Sequence, residues 1–175
     1  MLKLMRRIAF GAVVVTALGG CEPTNQGYTP EQPIEYSHAV HAGVMKIPCQ
    51  YCHYTATRSR FAGIPPATIC MNCHLQVQKD NPEVKKIVTA LETGEPIQWN
   101  RVHRVPDHVF FDHSVHVNSD VACQQCHGPV ETMGRVTQWA PLTMGWCLEC
   151  HRASDPSPSG TNRASPLTDC AVCHH

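Results

Sequence analysis

Little in this 175-residue chain could build an ordinary protein core. Aromatic residues make up only 6% and charged residues 16%, and no stretch alternates apolar and polar residues long enough to suggest a sheet. Lys and Arg total 14, matched by 14 Asp and Glu. There is no surplus positive charge of the kind that grips phosphate backbones, which excludes nucleic acid as a partner on that basis. Long apolar runs are missing too. The longest, the 13 residues from Ile8 to Gly20, falls short of the roughly 20 that span a bilayer as a helix. The length suits one domain.

Cysteine and histidine are what the chain has in excess, 11 and 12 residues respectively. Ten cysteines fall into five couples: Cys49 and Cys52, Cys70 and Cys73, Cys123 and Cys126, Cys147 and Cys150, Cys170 and Cys173. Each couple is C-x-x-C, and each is followed at once by histidine: His53, His74, His127, His151 and His174. C-x-x-C-H is the attachment pattern of c-type haem. Two thiols add to the two vinyl groups, and the adjacent imidazole reaches the iron from one side. A Cys₄ zinc site leaves five histidines unexplained, and ten cysteines do not divide into fours. A redox C-x-x-C needs a βαβ setting that is absent. The pattern therefore implies five covalently bound haem c groups, each with iron.

The first residues point to export. Lys3, Arg6 and Arg7 form a basic start, the apolar run follows, and Leu18-Gly19-Gly20-Cys21 resembles a bacterial lipobox. The expectation is a lipoprotein signal at 1–20, cleavage before Cys21 and lipid attachment to its thiol. The eleventh cysteine thereby acquires a role. Losing residues 1–20 leaves 11 basic against 14 acidic residues. Residues 21–34, with Pro23, Pro30 and Pro33 among small polar residues, read as a flexible stalk. Residues 35–175 form the cytochrome body.

Seven histidines remain. His38 and His41 lie in Tyr36-Ser37-His38-Ala39-Val40-His41, and His113 and His116 in Phe111-Asp112-His113-Ser114-Val115-His116. Each H-x-x-H precedes two attachment motifs, so 36–74 and 111–151 form a pseudo-repeat, with the fifth motif at 170–174 appended. Residues i and i+3 of a helix share a face, so one short helix can offer distal ligands to two irons. The fifth distal ligand is expected to be His103; Met144, His108 and His175 are the other candidates. A Met ligand would raise that haem's potential.

The arrangement H-x-x-H…C-x-x-C-H…C-x-x-C-H is similar to that of class III multihaem cytochromes. Longer strings narrow the likeness: Ile97-Gln98-Trp99-Asn100-Arg101-Val102-His103, Phe110-Phe111-Asp112-His113-Ser114-Val115-His116-Val117, Cys126-His127-Gly128-Pro129-Val130 and Pro141-Leu142-Thr143-Met144-Gly145-Trp146-Cys147. Over roughly residues 34–175 the chain resembles the pentahaem cytochrome subunit of bacterial alternative complex III. The resemblance implies an electron-transfer subunit, not itself an enzyme, on the periplasmic face of the inner membrane. It implies a quinol-oxidising complex with an iron–sulfur/molybdopterin-type subunit, a monohaem cytochrome and polytopic subunits, and a downstream cytochrome or oxidase. It also favours His103, which matches a family histidine.

The expected fold is mostly irregular with short α-helices, wrapped around five closely packed haems, with little or no β-sheet. About 155 mature residues shared among five haems leave too little protein for a core of its own, so the porphyrins must supply apolar surface. Trp99, Phe110, Phe111, Trp139 and Trp146 are expected to pack on haem edges. One free-standing helix is legible: Asp80 or Asn81 as cap, Pro82 in the first turn, Val84, Ile87, Val88 and Leu91 on one face, Gly94 and Pro96 as stop. Residues Ser154 to Pro166 read as a surface loop. A multihaem reductase would need an open iron site, against which seven spare histidines argue. A free lipoprotein shuttle is the other alternative.

Overall fold

A computed structural model describes residues 24–155, 165 and 167–174. The signal, Cys21, His175 and most of the expected 154–166 loop lie outside the described residues. Among those described there is no strand. Seven α-helical segments follow in order: α1 (Cys49–Cys52), α2 (Ala67–His74), α3 (Pro82–Thr93), α4 (His113–Val117), α5 (Cys123–His127), α6 (Met144–Ala153) and α7 (Cys170–Cys173). A π-helical turn at Ala39–Val44 and 3₁₀ turns at Tyr54–Thr57 and Val130–Thr132 complete the regular structure. None of the described helices is long and apolar enough to cross a membrane.

Most of these helices have four or five residues, far below the length at which a helix holds itself together in water. Helix α3, the longest at 12 residues, follows its sequence signals. Asn81 accepts a hydrogen bond from the Glu83 amide at 2.8 Å, Pro82 opens the first turn, and Gly94 closes the helix at φ 74°, in the left-handed region that suits glycine. Val84 and Ile87 are buried with Ile34. Lys86 donates to the Pro33 carbonyl, and Glu83 accepts from the Glu35 amide.

Those bonds correct the expectation for the stalk. Residues 24–34 lie along the body instead of swinging free. The Gly27 amide donates to Gln138 O, Gln138 donates back to Tyr28 O, and Gln32 and Asn100 exchange two hydrogen bonds. Composition indicated a loose segment, but the prolines extend the chain and leave its carbonyls open to distant donors.

The two halves of the pseudo-repeat hold each other. The π turn carrying His41 packs on the 3₁₀ turn after α5, where the Ala39 amide donates to Met133 O. Helix α4 packs on the 3₁₀ turn after α1, where the His113 amide donates to Arg60 O and the Asn118 amide group to Thr57 O. Each H-x-x-H thus clasps the turn following the other half's first attachment motif. At the first clasp Gly43 lies so close to Glu131 that an added Cβ would strike the Glu131 carbonyl. Gly43→Ala is expected to cost at least about 1–3 kcal/mol by forcing two backbones apart, read as a lower Tm of the holoprotein.

Only Ile34, Ala56, Val84, Ile87 and Ala140 are buried apolar residues among those described. That is too small a core for independent stability. Large apolar side chains such as Val44, Phe61, Leu75, Val115 and Met144 are instead mostly exposed around the motifs, where porphyrin faces would cover them.

Candidate haem centres

In each attachment motif the first cysteine stands in a helix with its partner one turn on, and i,i+3 spacing places both thiols on one helical face. The following histidine closes the helix at His74 and His127, lies just past its end at His53 and His174, and stands in the last turn of α6 at His151. His53 at φ −97°, ψ 48° and His174 at φ −128°, ψ 117° both leave helical geometry.

Opposite each proximal ring stands a second imidazole. His38 faces His53 with ring centres 6.5 Å apart and planes 5° from parallel. His41 faces His74 at 6.1 Å and 58°, His113 faces His127 at 6.3 Å and 12°, and His116 faces His151 at 6.0 Å and 25°. The fifth pair is His108 and His174, at 5.5 Å and 19°. Metal–imidazole bonds of about 2 Å on both sides of one ion hold two ring centres roughly 6 Å apart. The ring planes are free to turn about that axis, so the 58° of one pair is as suitable as the 5° of another.

Hydrogen bonds fix which nitrogen is available. Nδ1 of His53 points at Gly63 O (2.7 Å), that of His74 at Val77 O (2.9 Å), that of His151 at Leu167 O (2.7 Å) and that of His174 at His108 O (3.3 Å). On the distal side, Nδ1 of His41, His113 and His116 meets Ser37 O, Arg60 O and Asp112 O at 2.7–2.8 Å. A carbonyl only accepts, so these seven rings carry their proton on Nδ1 and keep the Nε2 lone pair for a metal. Burial, then His53 and His41, hold His38 down to about 4. Burial, then His103 and more distant rings, hold His127 down to about 3. Both stay neutral, as a metal ligand must.

The two H-x-x-H units match in detail. Tyr36 stacks on His41 at 4.4 Å and meets His38 edge-on at 4.8 Å. Phe111 does the same with His116 at 4.6 Å and His113 at 4.8 Å. Ser37 Oγ and Asp112 Oδ1 each accept an amide hydrogen bond from the turn that follows. The first unit makes a π turn and the second an α turn, yet both send their rings to two different motifs. The aromatic residue two places before each unit was visible in the sequence; its function as a plate between the two rings was not.

His103 corrects an expectation. Its ring lies 4.3 Å from that of His127, too close for an iron between them. Its Nε2 is instead 3.2 Å from His127 Nδ1. The ring opposite His174 is that of His108, because the Phe110 amide donates to Cys173 O at 2.7 Å and draws the 108–110 segment along α7. Met144 opens α6, two-thirds exposed. Gln138, only 1% exposed, was not singled out from the sequence; it accepts from the Arg104 amide and fixes the extended segment carrying His103.

Thiol proximity gives the spatial order of the motifs. Desolvation and then the nearby Cys70 push the Cys52 thiol up. Desolvation and then Cys49 act on Cys123, desolvation and then Cys147 on Cys126, and desolvation and then Cys173 on Cys147. The second couple therefore lies near the first, the first near the third, the third near the fourth and the fourth near the fifth. Among the described residues no three or more His, Cys, Asp or Glu converge on one point. The donors come as opposed pairs, which suits axial ligation of haem and not a closed tetrahedral zinc cage.

Residues 109–175 match the family described as cytochrome c7 and related cytochrome c. Over 167 aligned residues the chain is 30% identical to the multihaem cytochrome c subunit of menaquinone reductase from Nitratidesulfovibrio vulgaris (strain Hildenborough), covering 82% of this chain and 77% of that protein. The chain belongs to the multihaem c-type cytochromes. Covalently bound haem c and electron transport follow from that membership, and the helical, sheet-free build of the cytochrome fits it. Its residues also suit the group: thiol couples on one helical face, with opposed neutral imidazoles beside them.

Proposed function

We propose that this cytochrome holds five haems and serves as an electron wire within a membrane quinone oxidoreductase. The observation that carries the reading is the set of five opposed imidazole pairs, each beside its own thiol couple. Cys49 and Cys52, Cys70 and Cys73, Cys123 and Cys126, Cys147 and Cys150, and Cys170 and Cys173 are the attachment thiols. His53, His74, His127, His151 and His174 are the proximal ligands, with His38, His41, His113, His116 and His108 opposite them. Haem c supplies a one-electron carrier at each couple.

The chain's own contribution is spacing and ligation. The reciprocal clasps fix the first and third couples side by side. Rigid spacing keeps each hop short, and tunnelling weakens exponentially with distance. A facing imidazole beside every proximal ring would leave a haem iron held there no open coordination position, which supports electron transfer over a reductase. Carbonyl acceptors on Nδ1 orient the rings and raise their donor strength.

The likeness to a menaquinone reductase subunit supports a quinone-linked complex as the setting. Within that class we favour the alternative complex III type on the strings around His103, Phe111, His127 and Met144. The cytochrome would then sit on the periplasmic side, lipid-anchored through Cys21 after loss of residues 1–20. Its neighbours would be an iron–sulfur/molybdopterin-type subunit, a monohaem cytochrome and polytopic quinone-binding subunits, and its electrons would pass to a downstream cytochrome or oxidase.

The test is intact mass and pyridine haemochrome absorption on protein matured in a competent host, followed by purification from native membranes. Five haems per chain, and co-purified polytopic subunits whose quinol reduces them, are expected. Fewer haems would refute the wire as drawn, and a partner-free protein unreactive to quinol would refute the complex.

A further inference from the structure

We propose that His103 is a positioning residue for the haem at Cys123 and Cys126: its Nε2 accepts the Nδ1 proton of His127 and makes that proximal imidazole the most electron-rich of the five. The proposal rests on the reading of His127 as an axial ligand.

The other four proximal rings donate Nδ1–H to backbone carbonyls of Gly63, Val77, Leu167 and His108. Only at His127 is the acceptor another imidazole nitrogen, at 3.2 Å. An imidazole nitrogen is a far stronger base than an amide oxygen, so it draws the shared proton further. The more the proton is drawn away, the more imidazolate character His127 acquires, and the more charge its Nε2 offers to iron. Stronger donation favours the oxidised metal and lowers the reduction potential.

The contact is built rather than incidental. Arg104, next in sequence, is tied through its amide to Oε1 of the buried Gln138. Gln138 Nε2 donates to Ala140 O, and its backbone is paired with Gly27 and Tyr28. The Arg101 Nε donates to the His103 carbonyl at 3.0 Å. On the other side Gly128 turns the chain at φ 69° directly after His127, and Trp139 occupies the space a Cβ there would need. Two fixed backbones hold the two rings in register. The affected couple is the third, which adjoins both the first and the fourth, so this contact would lower the potential at a junction between the two halves.

The test compares His103→Leu, which removes the acceptor, with His103→Gln, which restores an amide-type acceptor, in the mature holoprotein. Potentiometric titration followed by EPR or NMR resolves the individual haems. One couple is expected to shift to higher potential in His103→Leu and part of the way in His103→Gln, while the others hold and all irons stay low-spin. Unchanged potentials overturn the inference, and so does a high-spin iron, which would make His103 a ligand. If the variants do not mature, the wild-type reduced protein decides: a ¹⁵N–¹⁵N scalar coupling between His127 and His103 is expected, and its absence refutes the hydrogen bond. Failure of the underlying reading looks different, because Cys123 and Cys126 would then carry no haem in peptide mapping.

Discussion

Replacing Cys123 and Cys126 together with alanine is expected to remove one haem from the intact mass and to divide the wire in two. The third couple adjoins the first through Cys49 and the fourth through Cys147, so its haem would link the two sides. Electrons supplied at one end would reduce only the haems on that side within the wild-type time, and the rate of full reduction would fall by orders of magnitude. Folding should suffer as well. The 3₁₀ turn that receives Gly43 follows this motif directly, and few buried apolar residues stand in reserve. The same change at Cys170 and Cys173 removes a terminal haem and should leave the other four connected and protease-resistant. Stopped-flow reduction and limited proteolysis of both variants check this. A central variant that reduces fully at the wild-type rate would refute the order.

The second large effect is coordinative. His108→Ala should leave one iron without its sixth ligand, turning it high-spin and able to bind carbon monoxide when reduced. Wild-type protein, with an imidazole on each side of every iron, should bind none. His116→Ala should do the same at the haem of Cys147 and Cys150. The change is all-or-none at one haem in five, well within the reach of magnetic circular dichroism. A His108→Ala protein that remains wholly low-spin would return the fifth distal position to another residue.

The difference between His103 and His108 shows what a sequence can carry. That the H-x-x-H imidazoles face the histidines of the attachment motifs was legible because the pattern is written within a few residues: i,i+3 spacing sets which side chains share a face. Helix α3 was legible for the same reason, through Asn81, Pro82 and Gly94. His103 and His108 lie five residues apart, both ahead of the second H-x-x-H, and local spacing does not separate them. What separates them is a backbone hydrogen bond from Phe110 to Cys173, across more than sixty residues. The stalk misled in a similar way. Its composition speaks for looseness, but the partners of Gly27, Tyr28 and Gln32 sit near residues 100 and 138, out of reach of any local rule. The order of the couples depends likewise on the reciprocal clasp, which joins the halves through their first motifs and sends the second motif outward.

That clasp has a consequence for how such a molecule could arise and grow. Each half lends its ligand-bearing turn to the other and borrows one in return, the relation two identical subunits have across a twofold axis. A half on its own could complete its contacts only with a second copy of itself. The chain is in effect a dimer tied into one polypeptide, and the segment holding His174 extends it from one tip without disturbing the joint.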